Sequence, residues 1–133
     1  DPGEYLDIVD PLVNYDLFKR WHAVATEYRM FNMTEGGGVA GSLDCILRHN
    51  ETGIYALADL KTLSKSGRDR DISAQLGGYL SLLKHCRPEI KIDKCFGIWA
   101  KPKKTWTTSY NVQECIDKYQ KIKTEFFAKQ PQI

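Results

Sequence analysis

The sequence predicts an α/β fold in which a central mixed β-sheet begins with an antiparallel meander and is flanked by helices. Two observations carry this prediction. Three consecutive segments, "VATEYRMFN" (24–32), "VAGSLDCIL" (39–47) and "IYALADLKT" (54–62), read as strands separated by turn signals. Helical spacing appears before them, between the third strand and a later strand pair, and again near the end. The expected order is α-β-β-β-α-β-β-α. A length of 133 residues suits a single domain over 1–133, with a helical N-terminal segment over 1–23 and the core over 24–133.

Each element has its own warrant. Residues 5–22 place Leu6, Val9, Leu12, Val13, Leu17, Phe18 and Trp21 at helical spacing, broken or started near Pro11. The first strand carries Glu27 and Arg29 on one face, because alternate residues of a strand point the same way. "EGGG" (35–38) is a turn. In the second strand Leu43, Cys45 and Leu47 share one face, and Ser42, Asp44 and Ile46 the other. "RHNETG" is a hairpin loop before the third strand. "LSKSGRDRD" (63–71) is a polar, basic and mobile loop. In "ISAQLGGYLSLLKHC" (72–86), Leu76, Leu80 and Leu83 form one helical stripe, with Gln75 and Tyr79 beside it. Gly77 and Gly78 each cost a helix about 1 kcal/mol relative to Ala, so this helix is expected to lie close against another backbone. A strand, a Pro-Lys-Lys turn and a second strand follow over 92–111. The last helix starts after Asn111, an N-cap residue, with Glu114 three positions on as in a capping box. Its expected apolar face is Val112, Cys115, Ile116, Tyr119, Ile122 and Phe126.

Composition narrows the classes. The net charge of +2 does not by itself demand a polyanionic partner, but its distribution is uneven. Residues 1–16 carry five acids and no base, whereas 84–104 carry seven Lys or Arg against Glu89 and Asp93. Such a basic segment is either a solvated loop or a surface that attracts phosphate backbones. No apolar run reaches the roughly 18 residues that span a membrane, and no membrane partner or secretory leader is expected. The chain does not begin with Met and is expected to be processed or trimmed. Cys45, Cys86, Cys95 and Cys115 form no Cys-x-x-Cys pair, which gives little support for a zinc or iron–sulfur site. Cys45 and Cys95 read as small core residues, and a reducing, intracellular location is the simpler expectation.

The chemistry concentrates on three acids, each on an identifiable strand face: Glu27, Asp44 and Asp59. Carboxylates on adjacent strands can converge across about 4.8 Å, and two that converge repel unless a cation lies between them. Their hard oxygens suit Mg²⁺ or Mn²⁺. Lys61 shares the face of Asp59, where it can stabilise a hydroxide nucleophile and neutralise charge developing on a phosphate. Taken alone, Asp-x-Lys recurs by chance in most proteins and reads as a pair of surface charges on a solvent face.

Together, "GSLD" (41–44), "DLK" (59–61) and "QLGGY" (75–79) resemble the PD-(D/E)XK nuclease superfamily, particularly its RecB-like and lambda-exonuclease-like branch. That pattern is a strand ending Gly-x-x-Asp, a hairpin, a strand ending (Asp/Glu)-x-Lys, and a helix bearing Gln-x-x-x-Tyr. "TEYRMF" resembles the preceding strand of phage and mitochondrial-genome-maintenance-type exonucleases. The resemblance spans about residues 24–84 and implies a restriction-endonuclease-like core. It implies a Mg²⁺- or Mn²⁺-dependent deoxyribonuclease, an exonuclease rather than an endonuclease, serving recombination, repair or phage genome processing. Asp44, Asp59 and the backbone carbonyl of Leu60 would hold the metal. Lys61 would be the catalytic lysine, Gln75 would orient the site or the scissile phosphate, and Tyr79 would pack beside Gln75 or touch the substrate. Glu27 is either a further ligand to metal or water or the ion-pair partner of an arginine.

One departure stands out. RecB-like enzymes carry a ligand histidine on an early helix, and His22, five residues before Glu27, stands too near the strand for that role. His49 and His85 read as surface residues. Lys65, Arg68 and Arg70, in the loop after the catalytic strand, are expected to grip the phosphate backbone or gate the cleft. Trp99 reads as core, and Trp106 as either core or a base-stacking aromatic. DNA is the expected partner, with self-association into a homo-oligomer a further expectation of the family. The alternative is a catalytically inactive nucleic-acid-binding or scaffold domain that keeps the nuclease fold.

Overall fold

A computed structural model describes the backbone of residues 11–29 and 39–129, and the side chains of 11–27 and 41–129. In chain order the elements are α1 (Leu17–Arg20), β1 (Trp21–Arg29), β2 (Val39–His49), β3 (Tyr55–Leu63), α2 (Ser73–Cys86), β4 (Ile92–Lys101), β5 (Lys104–Tyr110) and α3 (Val112–Ala128). The five strands lie side by side in that order. β1, β2 and β3 form the antiparallel meander, β4 joins β3 in parallel, and β5 returns antiparallel to β4. A parallel neighbour needs a long crossover, and α2 supplies it. The sheet is therefore mixed and flanked by helices.

Two boundaries differ from the sequence reading. The N-terminal helical segment ends at Arg20, because Trp21, His22 and Ala23 already belong to β1. Trp21 is buried and meets Phe96 edge to face, with ring centroids 5.5 Å apart. Its aromatic bulk suits the sheet's buried surface better than a helix exposed to water. Arg48 and His49 remain in β2, so the hairpin loop shortens to a turn in which Gly53 takes φ +74°. His49 is half-buried rather than a surface residue, with its ring edge-on to Trp21 at 4.9 Å. Residues 1–10, 30–32 and the "EGGG" turn lie outside the described residues.

A β-bulge sets the phase of β1. Trp21 and Ala23 pair with His49 and Leu47, but Ala25 pairs with Ile46, so Val24 is an extra residue. One extra residue moves every later side chain to the opposite face. Without it Glu27 would point with Trp21; with it Glu27 is the register partner of Asp44.

The sheet is covered on both faces. On one, Leu57, Leu63, Cys95 and Trp99 pack against Ile72, Leu76, Leu80 and Cys115 from the α2 and α3 layer. On the other, Cys45, Leu47, Ala56, Ala58, Phe96 and Ile98 pack against Leu17 and Trp21, with Leu12, Tyr15 and Phe18 alongside. The glycine pair explains how the helices meet. A Cβ on Gly77 would lie 2.0 Å from the carbonyl oxygen of Cys115, so α2 and α3 cross backbone to backbone there. Asn111 caps α3 as expected, its Oδ1 accepting from the Glu114 amide at 3.0 Å. The apolar face of α3 is buried only in its first half. Cys115 is fully buried, whereas Ile122 and Phe126 are exposed.

Candidate active site

Register brings the acids together. Glu27, Asp44 and Asp59 are successive cross-strand partners, followed by Gly97 of β4 and Thr108 of β5, in one row across the sheet. The row lies on the face that α2 covers. Asp44 is 5% exposed, Asp59 1% and Lys61 2%, so two carboxylates and an ammonium are withdrawn from water. Burial of charge is costly unless the groups are paired and hydrogen-bonded.

Asp59 meets that condition fully. Its Oδ1 accepts from Ser42 Oγ at 2.9 Å, and its Oδ2 accepts from Gln75 Nε2 at 2.9 Å. Lys61 Nζ lies 3.2 Å from Oδ2 and also donates to Ser42 Oγ at 3.3 Å. Ser42 thus links the acid to the base: it donates to one and accepts from the other. Lys61 has three N–H donors, and these two contacts leave one for a further partner. Gln75 reaches the cluster from the first turn of α2, and Tyr79 follows one turn later.

Ser42 is the site residue the sequence reading passed over. Strand alternation already placed it on the face of Asp44, but a serine beside an acid carries no distinctive pattern. Only the Ser42↔Lys61 register shows what it does.

The other expected residues fall into place separately. Leu60 turns its side chain to the opposite core, so only its carbonyl could face the site. Glu27 is exposed, and among the described residues no three His, Cys, Asp or Glu side chains form a metal-holding group. His22 sits in β1, where its Nδ1 is 2.6 Å from Asn50 Oδ1, away from the acidic row. Lys65, Arg68 and Arg70 are exposed. Their loop is more firmly attached than a mobile one: Asp69 accepts from Trp106 Nε1 at 3.1 Å, and the Arg70 carbonyl accepts from Tyr110 Oη at 3.2 Å. Trp99 is core, as read. A cavity of about 290 Å³ lies beside the row, lined by Glu27, Asp44, Ile46, Leu57, Tyr79 and Leu82 among others.

The donor set suits a hard divalent cation. Two cross-strand carboxylates and a carbonyl offer oxygens only, and Mg²⁺ accepts one or two carboxylates while keeping several waters. The Cys45 thiol is pushed up to about 12, first by burial and then by the charges of Asp44 and Asp59.

Comparison with protein-family models, with curated proteins and with solved structures finds no match to this chain. Among the described residues, no helix is long and apolar enough to cross a membrane.

Proposed function

We propose that this domain is a metal-dependent nuclease that hydrolyses DNA phosphodiester bonds, built on the PD-(D/E)XK pattern. The observation that carries the reading is the buried Asp59–Lys61–Ser42 cluster, joined by the half-buried Gln75 and facing Asp44 across one strand pair. A fold does not bury two acids and a lysine side by side cheaply, and such expense clusters at functional sites. Asp44, Asp59 and the Leu60 carbonyl would hold Mg²⁺ or Mn²⁺. When bound, the metal supplies the polarised phosphate and the acidified water that hydrolysis needs.

The chain's own residues do the rest. Ser42 and Asp59 hold the Lys61 ammonium in one place, with a donor left for the attacking oxygen or a phosphate oxygen. As water attacks phosphorus and the bond to the leaving oxygen breaks, that ammonium offsets the growing negative charge. Gln75 fixes the plane of the Asp59 carboxylate, so its free lone pairs keep their direction. The order of motifs supports the RecB-like and lambda-exonuclease-like branch, and with it an exonuclease in recombination, repair or phage genome processing.

A second reading has its own support. Both Asp59 oxygens already accept from protein donors, an arrangement that also suits an inactive nucleic-acid-binding domain in which Lys61 replaces the metal. The deciding experiment incubates the protein with linear and circular, single- and double-stranded DNA in Mg²⁺, Mn²⁺ or EDTA, beside Asp59→Ala and Lys61→Ala. Metal-dependent cleavage lost in both variants supports the enzyme. Binding without cleavage under every metal supports the inactive domain.

A further inference from the structure

The acidic row and Lys61 leave a second charged feature unexplained. On the same sheet face as Lys61, its register partner is Trp99, whose own partner is Trp106. Two residues further along, Lys101 pairs with Lys104. At about 3.3 Å per residue, that pair stands roughly 13 Å along the strands from the row of Asp44 and Asp59.

Trp106 organises this end of the molecule. Its ring stacks on the buried Trp99, centroids 6.5 Å apart and planes 22° from parallel. The ammonium groups of Lys101 and Lys104 lie over the ring at 5.6 and 4.9 Å from its centre. Its Nε1 holds Asp69, which fastens the β3–α2 loop to the β4–β5 hairpin. The loop brings Lys65, Arg68 and Arg70, and the hairpin brings Lys101, Lys103 and Lys104. None of these six is in a salt bridge with a described residue. The loop's acids are engaged elsewhere, Asp69 by Trp106 and Asp71 by Lys118 and Ser73.

We propose that the β3–α2 loop and the β4–β5 hairpin form one track for the phosphate backbone of a nucleic-acid strand, running away from Asp59 and Lys61. Trp106 is the scaffold of this track and not a base-stacking platform, because Trp99, Asp69 and two lysines already occupy its ring and its N–H. Recognition is by charge, so it is indifferent to sequence and weakened by salt. Only the direction of the track, toward a cutting site, rests on the nuclease reading.

The test is equilibrium binding of short fluorescein-labelled single- and double-stranded DNA, followed by anisotropy in EDTA across a salt series. The proteins are wild type, Lys103→Glu/Lys104→Glu, Arg68→Glu, and Lys123→Glu on the exposed side of α3. Thermal unfolding checks that each is folded. The hairpin variant is expected to bind at least about tenfold more weakly, with a salt slope shallower by about 0.7 to 0.9 per lost contact. Arg68→Glu, in the other half of the track, should act in the same direction, and Lys123→Glu should bind as wild type. Wild-type affinity in both the hairpin and the loop variants, or an equal loss in Lys123→Glu, overturns the track. Because EDTA removes cleavage from the assay, the two proposals fail separately. Binding through this surface without cleavage in any metal defeats the nuclease and leaves the track. Cleavage that persists while the reversals leave binding unchanged defeats the track alone.

Discussion

Gly77 and Gly78 are adjacent in α2, yet replacing each by alanine should move stability in opposite directions. Both substitutions gain about 1 kcal/mol of helix propensity. At Gly77 the new Cβ would meet the Cys115 carbonyl oxygen at 2.0 Å, its carbon at 2.6 Å and Tyr119 Cβ at 2.7 Å. Ordinary contact begins near 3.4 Å, so α3 would have to withdraw by more than 1 Å from a crossing made of backbone. Overpacking of this kind costs about 1–3 kcal/mol and sometimes more, and the separation also loosens Leu76, Leu80 and Cys115. At Gly78 the nearest atom is Tyr119 Cε1 at 3.2 Å, the far part of a ring that can tilt by a few tenths of an ångström. Gly77→Ala should therefore lose about 2 kcal/mol, and Gly78→Ala should be neutral or gain up to about 1 kcal/mol. Urea unfolding with an unchanged m-value measures both. A Gly77→Ala protein as stable as Gly78→Ala would refute the backbone crossing.

Three further outcomes follow from particular contacts. Lys61→Met strands the buried Asp59 carboxylate and should cost about 3 kcal/mol at neutral pH, whereas Asp59→Asn/Lys61→Met should recover most of it; urea unfolding that ranks the double variant below the single one contradicts this. Cys86 alone is exposed, and Cys45 is held protonated by a pKa near 12, so a disulfide reagent at pH 8 should titrate one thiol quickly and four after unfolding; two fast thiols would be inconsistent. Asp71 is held down to about 2, chiefly by its hydrogen bond from Lys118 and then by those from Ser73. A depressed carboxylate stabilises the fold above its ordinary value of 3.8 and loses that contribution as pH falls toward 2. Asp71→Asn should be less stable by under about 1 kcal/mol at pH 7, since the group is largely solvated, and should converge with wild type between pH 4 and 2. A constant gap in thermal unfolding across that range contradicts the assignment.

Much of the fold was legible because period and punctuation are local. Alternation marked β2 and β3, Asn111 marked the start of α3, and two glycines inside a helix announced a close crossing. What escaped was set by non-local choices. Val24 looks like any β-branched strand residue, yet as a bulge it decides which face Glu27 occupies. Nothing in 92–101 states that β4 runs parallel to β3; the length of the α2 crossover decides that. Ser42 acquires its role only through its register with Lys61. The loop of Lys65, Arg68 and Arg70 reads as loose from its polarity, but its aspartates find partners on β5 and α3, some 37 to 47 residues away in sequence. The second half of α3 has a helical apolar stripe like the first, yet its Ile122 and Phe126 lie in solvent.

The site itself divides in the same way. Asp44, Asp59, Lys61 and Gln75 were nameable from motif order, and the structure brings all four to one face. The proposed metal and its chemistry rest on that cluster, and one measurement bears on them most directly. The initial rate of nucleotide release from linear DNA is compared for wild type, Asp44→Asn and Lys61→Ala, with Mg²⁺ or Mn²⁺ and with EDTA. The nuclease account predicts release that requires the metal and falls by about a hundredfold or more in each variant. No release by wild type with either metal, or release by the variants at the wild-type rate, would contradict it.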